Sequence, residues 1–337
     1  MGKLNSYSFN NVIYRTQEDL TNQTIDFKVT NPRKKDTPES LYKYYSLNNN
    51  SLDAFINHYL FSSHPMIIND KYDCAGELID YSNLNLDTFI HHLSKELNLF
   101  SEDKVVQFFN SDEKWMLDRS MANLNQIILF MKFGIISLTE NPKDTLMWAY
   151  YSQNSGFALK LNTSLLPKDF FGPFPINYID SLNKIDFAKY DTSLCILYQT
   201  NVKQKIWESE NEWRYLTHNQ NGKYHPFYWN FDIKSRKFFY SADAIQEIIL
   251  GYDFFHPKEI DYNKRTPEYD IIRFNGKRSK TNKKLKRKLL SYVVRNSIPC
   301  FQIVRHRYNY LLDVKEIKIE KLSSNRYKIY NSFKQAT

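Results

Sequence analysis

The sequence predicts an α+β fold, and three observations carry that expectation. Strand-like and helix-like stretches follow one another without the regular alternation of a parallel doubly wound sheet. Aromatic residues, mostly Tyr and Phe, make up 16% of the 337 positions, enough for a large core. The chain also holds only eight glycines, widely separated, so neither a P-loop nor a GxGxxG turn is possible, since both cluster glycines to bring backbone amides against phosphate.

Taken in order, residues 1–40 read as an N-terminal extension and linker. They are polar, and Asn31-Pro32-Arg33-Lys34-Lys35-Asp36-Thr37-Pro38 is charged and bounded by prolines. A single α+β domain is expected over 41–320. Leu41-Tyr42-Lys43-Tyr44-Tyr45 is its first strand, and Leu52, Phe55, Ile56, Tyr59 and Leu60 then recur at helical spacing behind a cap at Asn48–Ser51. Asn69-Asp70-x-x-Asp73 reads as an Asx-turn rather than a cation site. Residues 87–131 form a helical insertion, with apolar positions three and four apart and no proline. Phe133 to Leu138 switches to a strand, Asn141-Pro142 starts a helix over 143–152, and Gly156 precedes a strand at 157–161. Residues 163–192 read as a long loop. Further strands are expected at 237–240, 247–250, 298–304 and 311–319, and 321–337 reads as a C-terminal tail.

The formal charge of +9 sits in one place. Lys277, Arg278, Lys280, Lys283, Lys284, Lys286, Arg287, Lys288 and Arg295 occur without an acid, and the rest of the chain balances to zero. A basic helix over 276–297 would carry Leu285, Leu289, Tyr292, Val293 and Asn296 on one side. Lys283, Lys284, Lys286, Arg287 and Lys288 would then offer a patch to nucleic acid or an acidic protein partner. A solvated helix face explains the same pattern. Cys74, Cys195 and Cys300 lie far apart, which suits neither a disulfide framework nor a zinc site. The histidine pairs His58/His64, His91/His92 and His218/His225 lack ligand spacing, so no metal is expected. No apolar run is long enough to span a bilayer and no secretory start is visible, so the expected compartment is the cytoplasm.

The most informative stretch is Trp207-Glu208-Ser209-Glu210-Asn211-Glu212-Trp213-Arg214-Tyr215-Leu216. On a strand, Glu210, Glu212 and Arg214 would share one face and Trp213 and Tyr215 the other. Two carboxylates so close take different pKa values, which suits a site that holds a cationic transition state and also moves a proton. Arg214 would pair with a neighbouring Glu and keep it ionised. A solvated edge strand is the plain alternative, and paired acids with Lys203 or Lys205 would also suit a metal-dependent nuclease.

Several short blocks then occur in a fixed order. They are Leu41-Tyr42-Lys43-Tyr44, Ser62-Ser63 with Asn69-Asp70 and Asp73, Ser137-Leu138 with Leu146-Met147-Trp148 and Tyr151, Gly156-Phe157-Ala158-Leu159, Lys205-x-Trp207-x-x-Glu210-x-Glu212-x-Arg214, and Glu247-Ile248-Ile249-Leu250-Gly251. Over roughly 41–315 the chain resembles a bacterial family catalogued as domain of unknown function 2971, and its layout is similar to that of ADP-ribosyltransferases. That resemblance implies split antiparallel sheets with a helical insertion, and NAD as substrate. It implies a basic residue on a first strand (Lys43, beside Tyr44), a Ser or Tyr on a middle element (Ser137 or Tyr151), and a Glu-x-Glu pair at Glu210 and Glu212. Glu212 would steady the sugar cation left when nicotinamide departs, and Glu210 would orient the acceptor or take its proton. Lys43 would hold pyrophosphate or ribose oxygens, Trp148 or Tyr151 would pack on the nicotinamide ring, and Arg214 would complete the NAD site. Proteins of this layout are often toxins or phage-defence effectors, with a macromolecule as acceptor. A non-catalytic binding module of the same fold is the alternative.

Overall fold

The computed structural model describes residues 3–19, 24–34, 36–168, 170–218, 233–274, 280–306, 309 and 311–331. It is a mixed α+β structure built on a ten-stranded sheet. In spatial order the strands are Tyr269–Arg273, Arg326–Asn331, Leu312–Ser323, Cys300–Arg305, Ile245–Leu250, Phe157–Asn162, Ser40–Tyr45, Phe133–Thr139, Glu212–His218 and Phe170–Pro175. Neighbours are antiparallel except for Ile245–Leu250 beside Cys300–Arg305, which run parallel.

One joint in this sheet is weak, and it positions the site. Ser40–Tyr45 is laddered to Phe157–Asn162 along six residue pairs, but it meets Phe133–Thr139 only at Tyr42 opposite Thr139. Beyond that pair the two strands part. The three strands on the far side, Phe133–Thr139, Glu212–His218 and Phe170–Pro175, thus form a wing joined to the other seven at a single point.

Alternation along each strand sorts residues onto two cores. Ile136, Leu138, Trp213 and Tyr215 enter the one beneath the helices Asn49–Ile56 and Lys280–Arg295. Phe133, Ile135 and Leu216 enter the other. There they meet the helix Thr192–Asn201 and the insertion, whose longest helix, Lys114–Lys132, buries Leu117, Met121, Asn125 and Leu129 at every fourth position. Close backbone approach requires glycine at positions 156 and 172. At Gly156 a Cβ would stand 2.0 Å from the Tyr45 carbonyl oxygen. At Gly172, with φ +106°, it would stand 2.8 Å from that of Arg214, beside an irregularity in the ladder.

Several expected boundaries are corrected. Residues 1–40 are not a bare extension and linker, because Ser6–Phe9, Val12–Asp19 and Thr24–Thr30 form a three-stranded antiparallel sheet. Val12, Tyr14 and Phe27 are buried in the core, and Thr16 Oγ1 donates to Asp191, the cap of the Thr192–Asn201 helix. The expected loop at 163–192 contains the strands Phe170–Pro175, Asn177–Ile179 and Ile185–Asp186. The expected tail is sheet as far as Asn331, since Leu312–Ser323 pairs with Arg326–Asn331. The helix expected at 143 begins at Thr145 and is capped by Asp144, whose side chain accepts from the Met147 amide. Among the described residues no helix is long and apolar enough to cross a membrane.

Candidate functional site

The parting of Ser40–Tyr45 from Phe133–Thr139 opens a cavity of about 240 Å³. Lys43 lies in the fork. Its ammonium donates to the Ser137 carbonyl at 2.8 Å, satisfying an oxygen that the parted ladder leaves open. Burial pulls the Lys43 pKa down to about 8, with Glu212 holding it partly up.

Opposite Lys43 the sequence 203–214 folds into a turn that returns two carboxylates to one place. Lys205–Glu210 is a 3₁₀ helix, Asn211 takes the left-handed conformation (φ 45°, ψ 47°), and the strand begins at Glu212. Glu210 therefore does not lie on the strand as the alternation suggests. The turn is pinned by Thr139 Oγ1, which donates to the Glu210 carbonyl, and by Tyr178, whose hydroxyl oxygen accepts from the Glu212 amide at 2.9 Å.

The carboxylates belong to a buried ionic cluster. Lys203 Nζ donates to Glu210 Oε2 and, at 3.0 Å, to Glu212 Oε2. Arg214 Nε and Nη2 donate to Glu212 Oε1 at 3.0 and 2.8 Å. Its Nη1 and Nη2 hold Asp73 in a two-pronged bridge, both contacts at 2.8 Å, and Nη1 also donates to the Thr200 carbonyl at 2.7 Å. That carbonyl lies at the C-terminal end of the Thr192–Asn201 helix, where the helix dipole favours a cation. Each of these five residues is no more than 5% exposed. Three carboxylates against two cations leave one net negative charge, with Lys43 across the cavity.

The two glutamates are driven apart electrostatically. At Glu210 burial raises the pKa and outweighs the pull of Lys203. At Glu212 burial acts in the same sense, but Arg214, Lys203 and a hydrogen bond from Ser137 together bring the carboxyl down to about 2. Glu210 has one further partner. Tyr151, on the Thr145–Ser152 helix, donates to its Oε1 at 2.7 Å and accepts from Asn69 at 3.1 Å.

Lys43, Tyr44, Ser137, Tyr151, Glu210, Glu212 and Arg214 thus all line one cavity, joined by Tyr42, Asn69, Asp73 and Lys203. Trp148 does not join them. It is fully buried, its ring nitrogen donates to the Pro142 carbonyl at 2.9 Å, and it packs edge-on against Tyr44, so its expected role against a ligand ring is corrected to core packing. No family model, curated protein or solved structure matches the chain.

Asp73 and Asn69 reach the site from the turn after Asn69, where the Tyr72 amide donates to Asp70 Oδ1 and closes the expected Asx-turn. The sequence singled out that turn but not its partners, because Asp73 and Arg214 lie 141 residues apart. The basic helix is a separate region and is only partly a patch. Lys286 is buried and bridged to Glu259 at 2.9 Å, and Arg287 donates to Asn325. Lys284 and Lys288 are exposed, Lys283 is half-buried, and Lys277 and Arg278 lie outside the described residues.

Proposed function

We propose that the cavity binds the nicotinamide–ribose end of NAD and cleaves its glycosidic bond, passing ADP-ribose to an acceptor. The observation that supports this reading best is the union of Lys43, Ser137, Tyr151 and the Glu210–Glu212 pair around one pocket at the fork of the sheet. Lys43, Ser137 and Glu212 come from three strands that are spatial neighbours, in the order expected from the resemblance to ADP-ribosyltransferases, while Tyr151 reaches the pocket from a helix and Glu210 from the 3₁₀ turn. A volume of about 240 Å³ is just below the usual small-molecule range, roughly 300–1,000 Å³. It suits a ring and its sugar, with the adenosine end outside.

In this reading the C1′–N bond breaks and its electron pair leaves with nicotinamide. The sugar cation left behind is steadied by Glu212, which is ionised across the working pH range and held still by Arg214 and Lys203. The acceptor hydroxyl, or water, attacks C1′ and gives its proton to Glu210, whose raised pKa makes it the better proton acceptor of the two. Lys43 meets a phosphate or ribose oxygen as a point charge. A divalent cation between the glutamates, as a nuclease would need, competes with the Lys203 ammonium already there.

One observation favours a second reading, a binding-only module of the same architecture. Both oxygens of Glu212 already accept hydrogen bonds from protein cations. Incubating the purified protein with NAD and following nicotinamide release separates the two. Catalysis predicts release that Tyr151→Phe reduces and Glu212→Gln removes. Absence of release at high protein concentration, with and without nucleic acid, leaves the binding module.

A further inference from the structure

We infer that His91, His92 and Glu96 form a surface site for a divalent transition-metal ion of the zinc class, independent of the NAD cavity. Adjacent histidines on an α-helix do not serve one metal together with a residue five positions on. At 3.6 residues per turn, positions i and i+5 point about 140° apart. Here the helix beginning at Leu86 changes character, and Ile90–Glu96 is a π-helix. Its i→i+5 hydrogen bonding widens the turn, so residues four and five apart stack on one face. Both imidazoles consequently reach the same carboxylate.

The geometry is that of a pre-assembled ligand set. His92 Nδ1 stands 2.7 Å from Glu96 Oε2, and His91 Nε2 stands 3.1 Å from Glu96 Oε1. One donor atom from each of the three residues lies within 4.8 Å of the other two. Donors around a tetrahedral zinc with bonds of 2.0–2.1 Å are about 3.3 Å apart, so donors spread over as much as 4.8 Å close by up to about 1.5 Å around an ion, a movement that exposed side chains allow. Two imidazoles and one carboxylate favour zinc, copper or nickel over magnesium or calcium, which prefer oxygen donors. The side chains are 60%, 31% and 50% exposed, which leaves the remaining coordination positions to water. A plain surface ion pair would need only one histidine. The convergence of two on the two oxygens of a single glutamate is what the π-turn adds, and the spacing of histidines in the sequence does not reveal it. His225, paired with His218 in that spacing, lies outside the described residues.

Calorimetric titration of the full chain, free of any histidine tag, with Zn²⁺ alone tests the site, with Mg²⁺ as control. One saturable equivalent of Zn²⁺ and no response to Mg²⁺ are expected. His91→Gln, His92→Gln and Glu96→Gln should each weaken binding tenfold or more, with the circular dichroism unchanged. Lack of saturable Zn²⁺ binding, or binding unaltered in the His91→Gln/His92→Gln double variant, overturns the assignment. Binding lost only together with helical signal also overturns it, because the residues would then be structural.

Discussion

The two charge-rich segments of this chain, 203–214 and the helix Lys280–Arg295, end in opposite environments, and the contrast shows what charge patterning can decide. Glu212 and Arg214 alternate with Trp213 and Tyr215 on a strand flanked by Phe133–Thr139 and Phe170–Pro175, and a packed core lies against each face of it, so the charged side chains must pair inside the protein. The basic helix has an apolar stripe on one side only, through Leu285, Leu289, Leu290 and Val293, and its other side is left to water. The exception, Lys286, sits at the stripe's edge and is drawn onto Glu259. Burial follows from the neighbours of the charged residues and not from their density.

The largest expected effect lies in the strand. Arg214→Met leaves Asp73 buried without its cation and Glu212 with Lys203 alone, and should cost about 3–5 kcal/mol, read by urea denaturation. A loss under 1 kcal/mol would mean that water reaches the cluster. Lys286→Ala should cost about 3 kcal/mol by the same logic, whereas Lys284→Ala or Lys288→Ala should stay within about 0.5 kcal/mol. Equal effects across the three would erase the distinction drawn within the helix.

Acid should expose the cluster through Glu212. Its carboxyl is at about 2 when folded against an ordinary 4.5, so its contribution is complete above pH 4.5 and disappears as the pH falls through 2. Glu212→Gln should flatten that limb of the stability–pH curve, and an unchanged acid limb would assign it to other groups. Lys43 works in the opposite sense. Its folded pKa of about 8 against 10.5 means that the unfolded chain binds more protons between those values, so stability rises with pH across that window. Lys43→Met should abolish the rise and stabilise the protein at pH 7 by about 1–2 kcal/mol, discounted for the half-buried side chain. Loss of NAD turnover in the same variant would mark Lys43 as a residue kept for function at a cost in stability.

Much of the site was legible because it is local. The alternation from Glu212 to Tyr215 is read correctly from period two, and the strand Ser40–Tyr45 and the helix ending at Ser152 follow from their aromatic and helical spacing. What escaped depends on distant partners or on backbone detail. Asp73 becomes part of the site only when the chain closes on Arg214, and of Lys203 and Lys205, both named beside the paired acids, it is Lys203 that bridges Glu210 and Glu212. The N-terminal sheet was obscured because its few buried apolar residues, Val12, Tyr14 and Phe27, are scattered through a largely polar segment that runs into the charged stretch 31–38. Trp148 and Tyr151 share a helical spacing, yet one packs in the core and the other lines the cavity, a difference of side-chain direction that spacing does not carry.

Nicotinamide release and ADP-ribose transfer measured side by side for Glu212→Gln and Glu210→Gln test the proposed division of labour between the two glutamates most directly. Glu212→Gln should lose release by about a hundredfold or more. Glu210→Gln should retain release within an order of magnitude and slow transfer by about a hundredfold. Equal loss of release in both variants, or greater loss on changing Glu210, would contradict the assignment of Glu212 to the sugar cation.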